Sequence, residues 1–442
     1  MPKHQPKNAL DIPGITRTWW PLAASWLLMA LELPAISAVM ARLANPKINL
    51  AAYGGIVFPI ALIVEAPVIM LLAASTALSK DWSSYRKIRK FMMISGASLT
   101  AIHALIAFTP LYDLISSQII GAPQEIISPA RTGLMIMLPW TWAIAYRRFN
   151  QGVLIRFDHT RTVSVGTLVR LTADGIVLLI GMIIKDIPGI LIATSAVSAG
   201  VICEAVYVGL RVHPVVKNQL KPAPAAEAEL TRQSFIKFYF PLALTSLMTL
   251  LSQPLISAAL SRMPRPIDSL AVWPVISGLL FIFRSPGVAY NEVVVALLGK
   301  TQAYSPLKKF TAVITLSTTC ILFVMAVTPL SELWFRHISS LDPDLTQLAE
   351  IALWSGMLVP GANALQSWYQ GVMLHSQKTR GVPEAVAVFL AASLITYGIG
   401  IYWNEPAGII VGTAGFSFGM TAQAGWLWLR SRPAIQAVKG HR

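Results

Sequence analysis

One stretch of this chain occurs twice. Trp20–Ile56, with the sequence WPLAASWLLMALELPAISAVMARLANPKINLAAYGGI, aligns without a gap on Phe240–Ile276. Each copy is a long apolar run interrupted by a proline, Pro34 in the first and Pro254 in the second. The other residues that recur in register include Pro21 with Pro241, Arg42 with Arg262, and Pro46 with Pro266. Prolines and an arginine that recur in register indicate an internal repeat, which sets the architecture.

The repeat continues through most of the chain. Lys80 aligns with Lys300 in the same register, and Gln151-Gly152-Val153 aligns with Gln370-Gly371-Val372 after the register slips by a single position. The chain therefore consists of two tandem halves of similar length. We expect an N-terminal six-helix lobe at 1–212, a cytoplasmic linker at 213–232 and a C-terminal six-helix lobe at 233–442.

The composition identifies a membrane protein. Hydrophobic residues make up 55% of the chain, charged residues make up 12%, and the mean hydropathy is +0.61. A soluble chain carries about twice that charged fraction. The net charge of +15 fits basic cytoplasmic loops better than nucleic-acid binding. We predict an all-α, polytopic membrane protein without a nucleic-acid partner.

Twelve apolar stretches are long enough to cross about 30 Å of hydrocarbon as helices. Their approximate limits are 19–41, 52–78, 91–112, 129–146, 163–185, 187–210, 238–261, 269–298, 310–331, 347–374, 383–403 and 406–429. Six spans in each half return the chain to the same side of the membrane. The halves are therefore expected to be parallel repeats related by an axis along the membrane normal.

The basic residues alternate between the two sides of the predicted membrane. Of the 35 Lys and Arg residues, 26 fall in the segments on one side, 7 fall on the other, and Arg170 and Arg284 fall within spans. Arg147 and Arg148 are counted in the loop after the fourth span. The positive-inside rule places the more basic side in the cytoplasm. We expect a multi-pass protein of the inner (cytoplasmic) membrane with both termini cytoplasmic.

Polar groups within the spans carry the functional signal, because a charge at the bilayer centre costs about 2.5–3.5 kcal/mol on insertion scales. The candidates for a substrate or coupling cavity are Glu32, Glu65, Arg170, Asp174, Arg284, Glu292 and Asn363. Arg170 and Asp174 lie four residues apart on one helix face, so they form either a structural ion pair or a functional pair. His103 is expected to be a hydrogen-bonded core histidine, and Glu204 is expected to reach the cytoplasmic interface.

Glu65 and Arg284 are the most informative of these residues. The repeat aligns Glu65 with Ser285, next to Arg284, so the two charges occupy neighbouring equivalent positions in spans 2 and 8. If these spans line a cleft between the halves, the charges face that cleft. They then act on a substrate, an ion or a gate, or they form a fixed ion pair.

Several prolines recur at equivalent positions within the spans. Pro34 aligns with Pro254, and Pro67 lies beside the position equivalent to Pro286. Proline removes a backbone hydrogen bond and permits a kink. We predict that these four prolines are hinges of helices that bend during alternating access, although membrane helices also tolerate rigid prolines.

The chain resembles the multidrug/oligosaccharidyl-lipid/polysaccharide (MOP) transporter superfamily and, within it, the progressive ankylosis (ANK) proteins. The residues that carry the resemblance are Tyr53-Gly54, Pro67, Phe240-Pro241-Leu242-Ala243-Leu244, Pro254, Pro286-Gly287 and Asn291-Glu292. The resemblance implies a MATE-like, V-shaped pair of bundles, with a central cavity lined by spans 1, 2, 7 and 8. It also implies export of organic molecules: phosphate-rich or carboxylate-rich anions for ANK relatives, organic cations for drug exporters and lipid-linked sugars for flippases.

The chain departs from the superfamily pattern at the coupling sites. Sodium-coupled drug exporters place a carboxylate in span 7, where this chain has Ser252 and Gln253. Proton-coupled members place an acid in span 1, where Glu32 is the candidate and Asp174 in span 5 is the alternative. Only Arg170 and Arg284 could make a cationic cavity like that of the flippases.

We therefore predict a secondary active transporter that exports an organic solute, with an organic anion as one candidate, using a proton or other ion gradient. The alternatives are a lipid-linked glycan flippase, a multidrug cation exporter and, outside this class, a membrane-embedded lipid enzyme. No His, Cys or carboxylate cluster has metal-ligand spacing, and no nucleophile–base set is present in the sequence. We expect a monomer among membrane lipids that needs no cofactor and is not an enzyme.

Overall fold

The structure, a computed structural model, describes residues 10–225, 229–377 and 380–440, with the side chains of 437–440 excepted. Some of the basic residues used to predict the orientation lie outside the described residues. They are Lys3, Lys7, Lys378 and Arg442, together with the side chain of Lys439. The described residues are helical with connecting turns, and they contain no β-strand, which confirms the all-α prediction.

The described part of the first half, from residue 10 onward, contains eleven α-helices and three short π-helical segments. The helices are α1 Ile12–Ala30, α2 Glu32–Met40, α3 Pro46–Ala52, α4 Phe58–Ile69, α5 Leu71–Leu78, α6 Trp82–Phe108, α7 Leu111–Asp113, α8 Gln124–Ile136, α9 Leu138–Arg156, α10 Thr160–Ile184 and α11 Gly189–Val215. The π-helical segments are Tyr53–Val57, Leu114–Ile120 and Val216–Leu220. The predicted linker 213–232 therefore begins in helix, because α11 passes through Pro214 and continues to Leu220 as a π-helix.

The second half repeats this order with fewer interruptions. Its helices are α12 Arg232–Leu260, α13 Pro266–Leu297, α14 Tyr304–Val327, α15 Leu330–Glu332, α16 Pro343–Ser355, α17 Val359–His375, α18 Gly381–Trp403 and α19 Gly408–Gly440, and the segment Leu333–Ile338 is π-helical. α13 is continuous where α3, a π-helical segment, α4 and α5 divide the equivalent span of the first half.

Helix boundaries confirm the internal repeat. Four helices of the first half end at positions that align with the ends of their counterparts in the second half: α6 with α14, α8 with α16, α9 with α17, and α10 with α18. Two helices also begin at aligned prolines, α3 at Pro46 and α13 at Pro266. The unusual backbone conformations repeat as well. Residues with positive φ form three equivalent non-glycine pairs, which are Asn45 and Arg265, Asp158 and Gln377, and Lys185 and Asn404. Left-handed residues other than glycine are uncommon, so their recurrence in register shows that the halves share a backbone as well as a sequence pattern.

The repeated Gln-Gly-Val motif marks a close helix approach in each half. A Cβ atom on Gly152 would lie 2.5 Å from the carbonyl oxygen of Leu72, and one on Gly371 would lie 2.7 Å from the side chain of Val294. Only glycine permits this approach without displacing the neighbouring helix. The motif is therefore explained by packing, and it recurs because the same two helices meet in both halves.

The repeated arginine has an equivalent local role in each half. Arg42 Nη1 donates to the carbonyl oxygen of Ala38, and Arg262 Nη1 donates to that of Ala258, each at 2.7 Å. Arg262 also donates to the carbonyl oxygens of Gln118, Ile119 and Ile120. Both side chains satisfy carbonyl groups that a helix end leaves without partners.

Ten helical stretches in the described residues are long and apolar enough to cross a membrane by length and composition. The other two predicted spans correspond to α8 with α9 and to α19. The predicted limit of the fourth span at residue 146 is wrong, because α9 continues to Arg156. Arg147 and Arg148 are therefore helical residues, and their assignment to a loop is also wrong. Two adjacent arginines at the end of an apolar run predict a solvent-exposed loop. In the structure, however, α9 places them near the carboxylates of Glu65 and Glu204.

The chain divides into two compact units. The unit that we call the N-unit comprises Ile36–Arg262 and Pro266–Ala271. The C-unit comprises the described residues of Met1–Ala35, Met263–Arg265 and Val272–Arg442. The division of the chain into lobes at 213–232 stays a prediction of the sequence.

Each unit has its own apolar packing. In the C-unit, Ile15 of α1 is buried with Tyr290 of α13 and Phe310 of α14, and Trp19 Nε1 donates to the carbonyl oxygen of Pro286 at 2.9 Å. In the N-unit, α12 packs on α4 and α6. There the Phe91 ring stacks edge-on against Phe235 and Tyr239.

Candidate functional site

The N-unit contains a set of six buried or half-buried charged side chains, which we call the charged cluster. Its members are Glu65 on α4, Arg147 and Arg148 on α9, Arg170 and Asp174 on α10, and Glu204 on α11. Glu65, Arg147, Asp174 and Glu204 are each at most 4% exposed. Three arginines and three carboxylates balance when all are ionised, which is the condition under which buried charges are tolerated.

Arg147 and Glu204 form the most enclosed pair in the cluster. Arg147 Nη1 lies 2.5 Å from Glu204 Oε2, and Gln151 Nε2 donates to Glu204 Oε1 at 2.9 Å. Both carboxylate oxygens of Glu204 are therefore satisfied from α9. The expectation that Glu204 reaches the interface is wrong, because its carboxylate is fully buried against an arginine that the sequence had placed in a loop.

Glu65 lies where the electrostatic influence of several arginines overlaps. Arg148, Arg147 and Arg170 all act on its carboxylate, with Arg148 the strongest. Arg148 is in turn attracted by Glu65 and Glu204. Oε2 of Glu65 is buried and has no hydrogen-bond partner among the described residues. The carboxylate thus lies among three arginines, and one of its two oxygens receives no hydrogen bond from the described residues.

Arg170 and Asp174 are brought together as the sequence predicted. Arg170 Nε lies 4.0 Å from Asp174 Oδ2 along one face of α10. Asp174 faces Gly200 on α11, where a Cβ atom would overlap Oδ1 and would lie 3.0 Å from the carbonyl oxygen of Arg170. Gly200 therefore makes the room in which the Asp174 carboxylate lies.

The C-unit contains the remaining predicted site residues. Arg284 lies with its guanidinium carbon 5.4 Å from the centre of the Phe416 ring, and its buried Nε has no hydrogen-bond partner among the described residues. Asn363 Oδ1 is likewise buried without a described partner. A Cβ atom on Gly287 would lie 2.7 Å from this oxygen, so Asn363 points at α13 one turn beyond Arg284.

The two remaining acids of the predicted cavity, Glu32 of span 1 and Glu292 of span 8, also belong to the C-unit. Glu32 is the first residue of α2, directly after the interruption at Leu31, and it is half-buried. Glu292 is exposed on α13, and its Oε1 lies 3.4 Å from Trp26 Nε1 of α1. The structure thus gathers Glu65, Arg170 and Asp174 into one cluster and places Glu32, Arg284, Glu292 and Asn363 in the other unit. The cavity itself stays a prediction.

The four predicted hinge prolines differ in their local effect. α1 ends at Ala30, four residues before Pro34, where a proline frees a carbonyl group. Pro34 Cδ would lie 3.0 Å from a Cβ on Gly278, so α2 packs closely on α13 here. Pro67 lies in α4, which ends two residues later at Ile69, whereas Pro254 and Pro286 lie within the uninterrupted helices α12 and α13.

His103 is a core histidine, as the sequence predicted. Its Nδ1 lies 2.8 Å from Thr141 Oγ1, and its Nε2 lies 3.0 Å from the carbonyl oxygen of Leu134. The described residues contain no group of three or more His, Cys, Asp or Glu side chains that could hold a metal ion.

Sequence reasoning missed Arg147, Arg148 and Gln151 as members of a buried polar site. The repeat offered a signal, since Arg147 aligns with Gln366 and Glu204 aligns with Gln423. Gln366 Nε2 lies 3.2 Å from Gln423 Oε1 in the C-unit. Polar residues at both pairs of equivalent positions indicate two helices that meet through polar side chains in each half.

Solved structures match the chain over almost its whole length. No protein-family model matches the chain, and no curated protein matches it. The inward-facing conformation of a multidrug resistance MATE family transporter of the MOP superfamily superposes with a TM-score of 0.75 at 13% identity, over 95% of this chain and 99% of that one. The outward-facing conformation of such a transporter gives a TM-score of 0.67 at 15% identity, over 97% of both chains.

A flippase structure is similar to a comparable degree. The inward closed conformation of the lipid II flippase MurJ gives a TM-score of 0.70 at 16% identity, over 92% of this chain and 87% of that one. At these identities the comparison shows the fold. It confirms the prediction of a MATE-like polytopic helical protein, and the chain has the twelve-helix fold of the MATE transporters that it matches.

Proposed function

We propose that this protein is a secondary active transporter of the MOP type that exports an organic solute across the cytoplasmic membrane by alternating access. The fold supports this proposal, because proteins with this fold are named as transporters and are known in inward-facing and outward-facing conformations. The observation that carries it is the charged cluster. Six charges among four membrane helices, four of them buried, are costly, and such groups mark substrate or ion pathways.

An organic anion is the substrate class that the charges favour. Arg284 has a described interaction with the face of Phe416, and no described carboxylate lies within ion-pair distance of it. A cation in an apolar helix gains most from an anionic partner, because neutralisation removes much of the cost of its burial. The ANK proteins, which resemble this chain in sequence, are associated with such anions. We propose Arg284 and Asn363 as residues that bind the anionic group.

Two other substrates remain as alternatives. The similarity to MurJ favours a lipid-linked glycan, and the similarity to MATE proteins favours an organic cation. A cation would need an uncompensated carboxylate, and Glu292, which is exposed near Trp26, is the candidate in the C-unit. A membrane-embedded lipid enzyme has the least support, because the described residues show no clustered metal ligands.

Coupling to protons is proposed for Glu32, with Asp174 as the alternative. One proton that crosses ~150 mV releases about 3.5 kcal/mol, enough to concentrate a neutral solute by a few hundred-fold. Glu32 lies at the interruption between α1 and α2, where bending changes access to water. Asp174 belongs to a balanced cluster, so its protonation leaves an excess of positive charge that favours rearrangement.

Transport in proteoliposomes with an imposed pH gradient tests these assignments together. We expect Glu32→Gln to abolish concentrative export of an anionic substrate, whereas Glu332→Gln, an exposed carboxylate paired with Arg336, retains it. Arg284→Ala should weaken export of the anion about tenfold or more, the loss expected for a contact of about 1.4 kcal/mol, and should affect a cationic solute less.

The assay separates failure of one assignment from failure of the function. Full concentrative export by Glu32→Gln, combined with its loss in Asp174→Asn, would move coupling to the charged cluster. No transport of any anion, cation or lipid-linked sugar by the parent protein, under a pH gradient of either sign, would overturn the proposed function.

The remaining proposals concern topology and motion. We propose that the lobes defined by the repeat, 1–212 and 233–442, are the functional halves, and that Pro34, Pro67, Pro254 and Pro286 are the positions at which their helices bend. The protein is proposed to act as a monomer in the cytoplasmic membrane with both termini in the cytoplasm. The excess of basic residues on one side supports this orientation.

A further inference from the structure

The C-unit has a cavity of about 290 Å³ at the basic end of its helices, formed by the start of α14, the end of α17 and the last turns of α19. Four aromatic and two basic side chains line most of it. They are Tyr304, Trp368, Tyr369, Trp428, Lys308 and Arg432. This composition, rings beside cations at a helix end, is typical of the membrane–water interface.

The two cations of this cavity are available to a ligand. No carboxylate in the described part of the chain lies within ion-pair distance of Lys308 or Arg432. The neighbouring Arg430 is different, because it donates to Glu384 Oε1 at 2.7 Å. Arg432 instead lies 4.0 Å above the centre of the Trp428 ring. The cavity therefore has a net positive charge that the described protein groups leave unbalanced.

The aromatic walls are rigid and partly exposed. Tyr304 and Trp368 meet edge to face with their ring centres 5.7 Å apart, and Trp368 is buried. Trp428 is 45% exposed, so the cavity is open on the side of α19. A ligand that enters there meets a fixed apolar wall and two flexible cationic side chains. This combination suits an amphipathic molecule with an anionic head.

The residues that line this cavity differ from those at the equivalent positions of the N-unit. The N-unit keeps the equivalent aromatic pair, Tyr85 and Phe149, with ring centres 5.4 Å apart. At the positions of Trp428 and Arg432 it has Gly209 and His213. Within the N-unit, Lys221 Nζ lies 4.9 Å from the centre of the nearby Trp82 ring. The N-unit thus has Lys221 over the Trp82 ring, whereas the C-unit has Arg432 over Trp428, beside the open cavity.

We propose that this cavity binds the phosphate-bearing headgroup of an anionic phospholipid, with Lys308 and Arg432 contacting the phosphate and Trp428 packing against the glycerol and first acyl carbons. Basic pockets between membrane helices bind such headgroups, and each Lys or Arg near an anionic surface contributes on the order of a fivefold gain in affinity. The bound lipid stabilises the contact between the last turns of α19 and the start of α14. It is a resident lipid and is distinct from the transported solute.

Native mass spectrometry of the full-length protein with added phosphatidylglycerol or phosphatidylethanolamine tests the proposal. We expect the parent to retain phosphatidylglycerol in preference to the zwitterionic lipid. The Lys308→Gln/Arg432→Gln variant should bind it about 25-fold more weakly, because two cations are lost. Lys309→Gln removes the same charge from an exposed neighbour that does not line the cavity, and it should bind as the parent does.

Several outcomes would overturn the proposal. One is parent-like binding by the double variant, and another is an equal loss in Lys309→Gln. If inorganic phosphate binds in a manner that depends on Lys308 and Arg432 while phosphatidylglycerol does not, the site takes a soluble phosphate and the lipid is excluded. If the double variant fails to fold, the single variants Lys308→Gln and Arg432→Gln decide, because each should show about a fivefold loss.

Discussion

The two halves of this molecule build the same helix pair with different chemistry. In the N-unit, α9 and α11 meet through the buried ion pair of Arg147 and Glu204. In the C-unit, the equivalent helices α17 and α19 meet through Gln366 and Gln423, at 3.2 Å. The backbone tolerates either pair, so the ion pair is not required by the fold.

The difference extends across the whole charged cluster. The residues at the equivalent positions of the C-unit are all uncharged: Ser285, Gln366, Ser367, Phe389, Ser393 and Gln423. The pairing of Asp174 with Gly200 recurs as Ser393 with Gly419, where a Cβ on the glycine would again overlap the side-chain oxygen. The two halves therefore keep the same packing at these positions, but only the N-unit has charged side chains there.

Breaking the ion pair should have the largest effect on stability. Glu204→Gln leaves Arg147 buried without its counter-charge, which costs about 3–5 kcal/mol. Gln423→Leu removes the equivalent amide contact but leaves Gln366 Nε2 donating to the carbonyl oxygen of Met420, so it should cost only about 1 kcal/mol, the net value of an ordinary hydrogen bond. Thermal unfolding of the purified variants in detergent measures both. Equal losses in the two variants would show that the charge in the N-unit has no special energetic weight.

The double variant Arg147→Gln/Glu204→Gln is the matched control for this prediction. It gives the N-unit the amide pair that the C-unit already has. Because replacing both members of a buried ion pair is often neutral, we expect it to recover most of the stability lost in Glu204→Gln. If the double variant is as unstable as the single one, the loss comes from packing and not from unpaired charge.

Gly200→Ala should destabilise the protein less than Glu204→Gln does. It should also distinguish an effect on stability from an effect on transport. A Cβ at either Gly200 or Gly419 overlaps the oxygen of the facing side chain, so each substitution should cost about 1–3 kcal/mol by overpacking. Only Gly200→Ala displaces a charge, that of Asp174. We expect similar melting temperatures for the two variants but a loss of gradient-driven export only in Gly200→Ala. Equal export by both would remove Asp174 from the mechanism.

The sequence predicted the architecture because prolines, glycines and helix-end residues constrain the backbone directly. The register of Pro46 with Pro266 marks a helix start in each half, and that of Gly152 with Gly371 marks a close helix approach, and both features depend on single residues. It also predicted the pairing of Arg170 with Asp174, since neighbours on one helix are fixed by helical geometry.

The rest of the charged cluster depends on contacts between helices that are distant in sequence. Arg147 and Glu204 are 57 residues apart, and nothing in the local sequence of α9 shows that its arginines face inward. In membrane proteins a charge near the end of an apolar run usually marks the start of a loop, so the sequence predicts a loop at Arg147. The exception arises because a carboxylate on α11 compensates the charge, which only the packed bundle reveals.

The smallest expected effect on stability concerns the prolines, and it bears on the same comparison. Pro34 lies beside an interruption, with α1 ending at Ala30 and α2 beginning at Glu32, whereas α12 passes through Pro254 unbroken. In Pro34→Ala the new N–H can bond to the carbonyl group of Ala30 and join the two helices. Both Pro34→Ala and Pro254→Ala should change the melting temperature little, by the equivalent of about 1 kcal/mol or less, because the tertiary packing remains. Pro34→Ala should slow export more than Pro254→Ala does, and it should also slow hydrogen exchange at Leu31–Ala35, since it removes the helix interruption next to Glu32. If Pro254→Ala slows export as much as Pro34→Ala does, the interruption of the first span is not the hinge, and the two repeats bend equally.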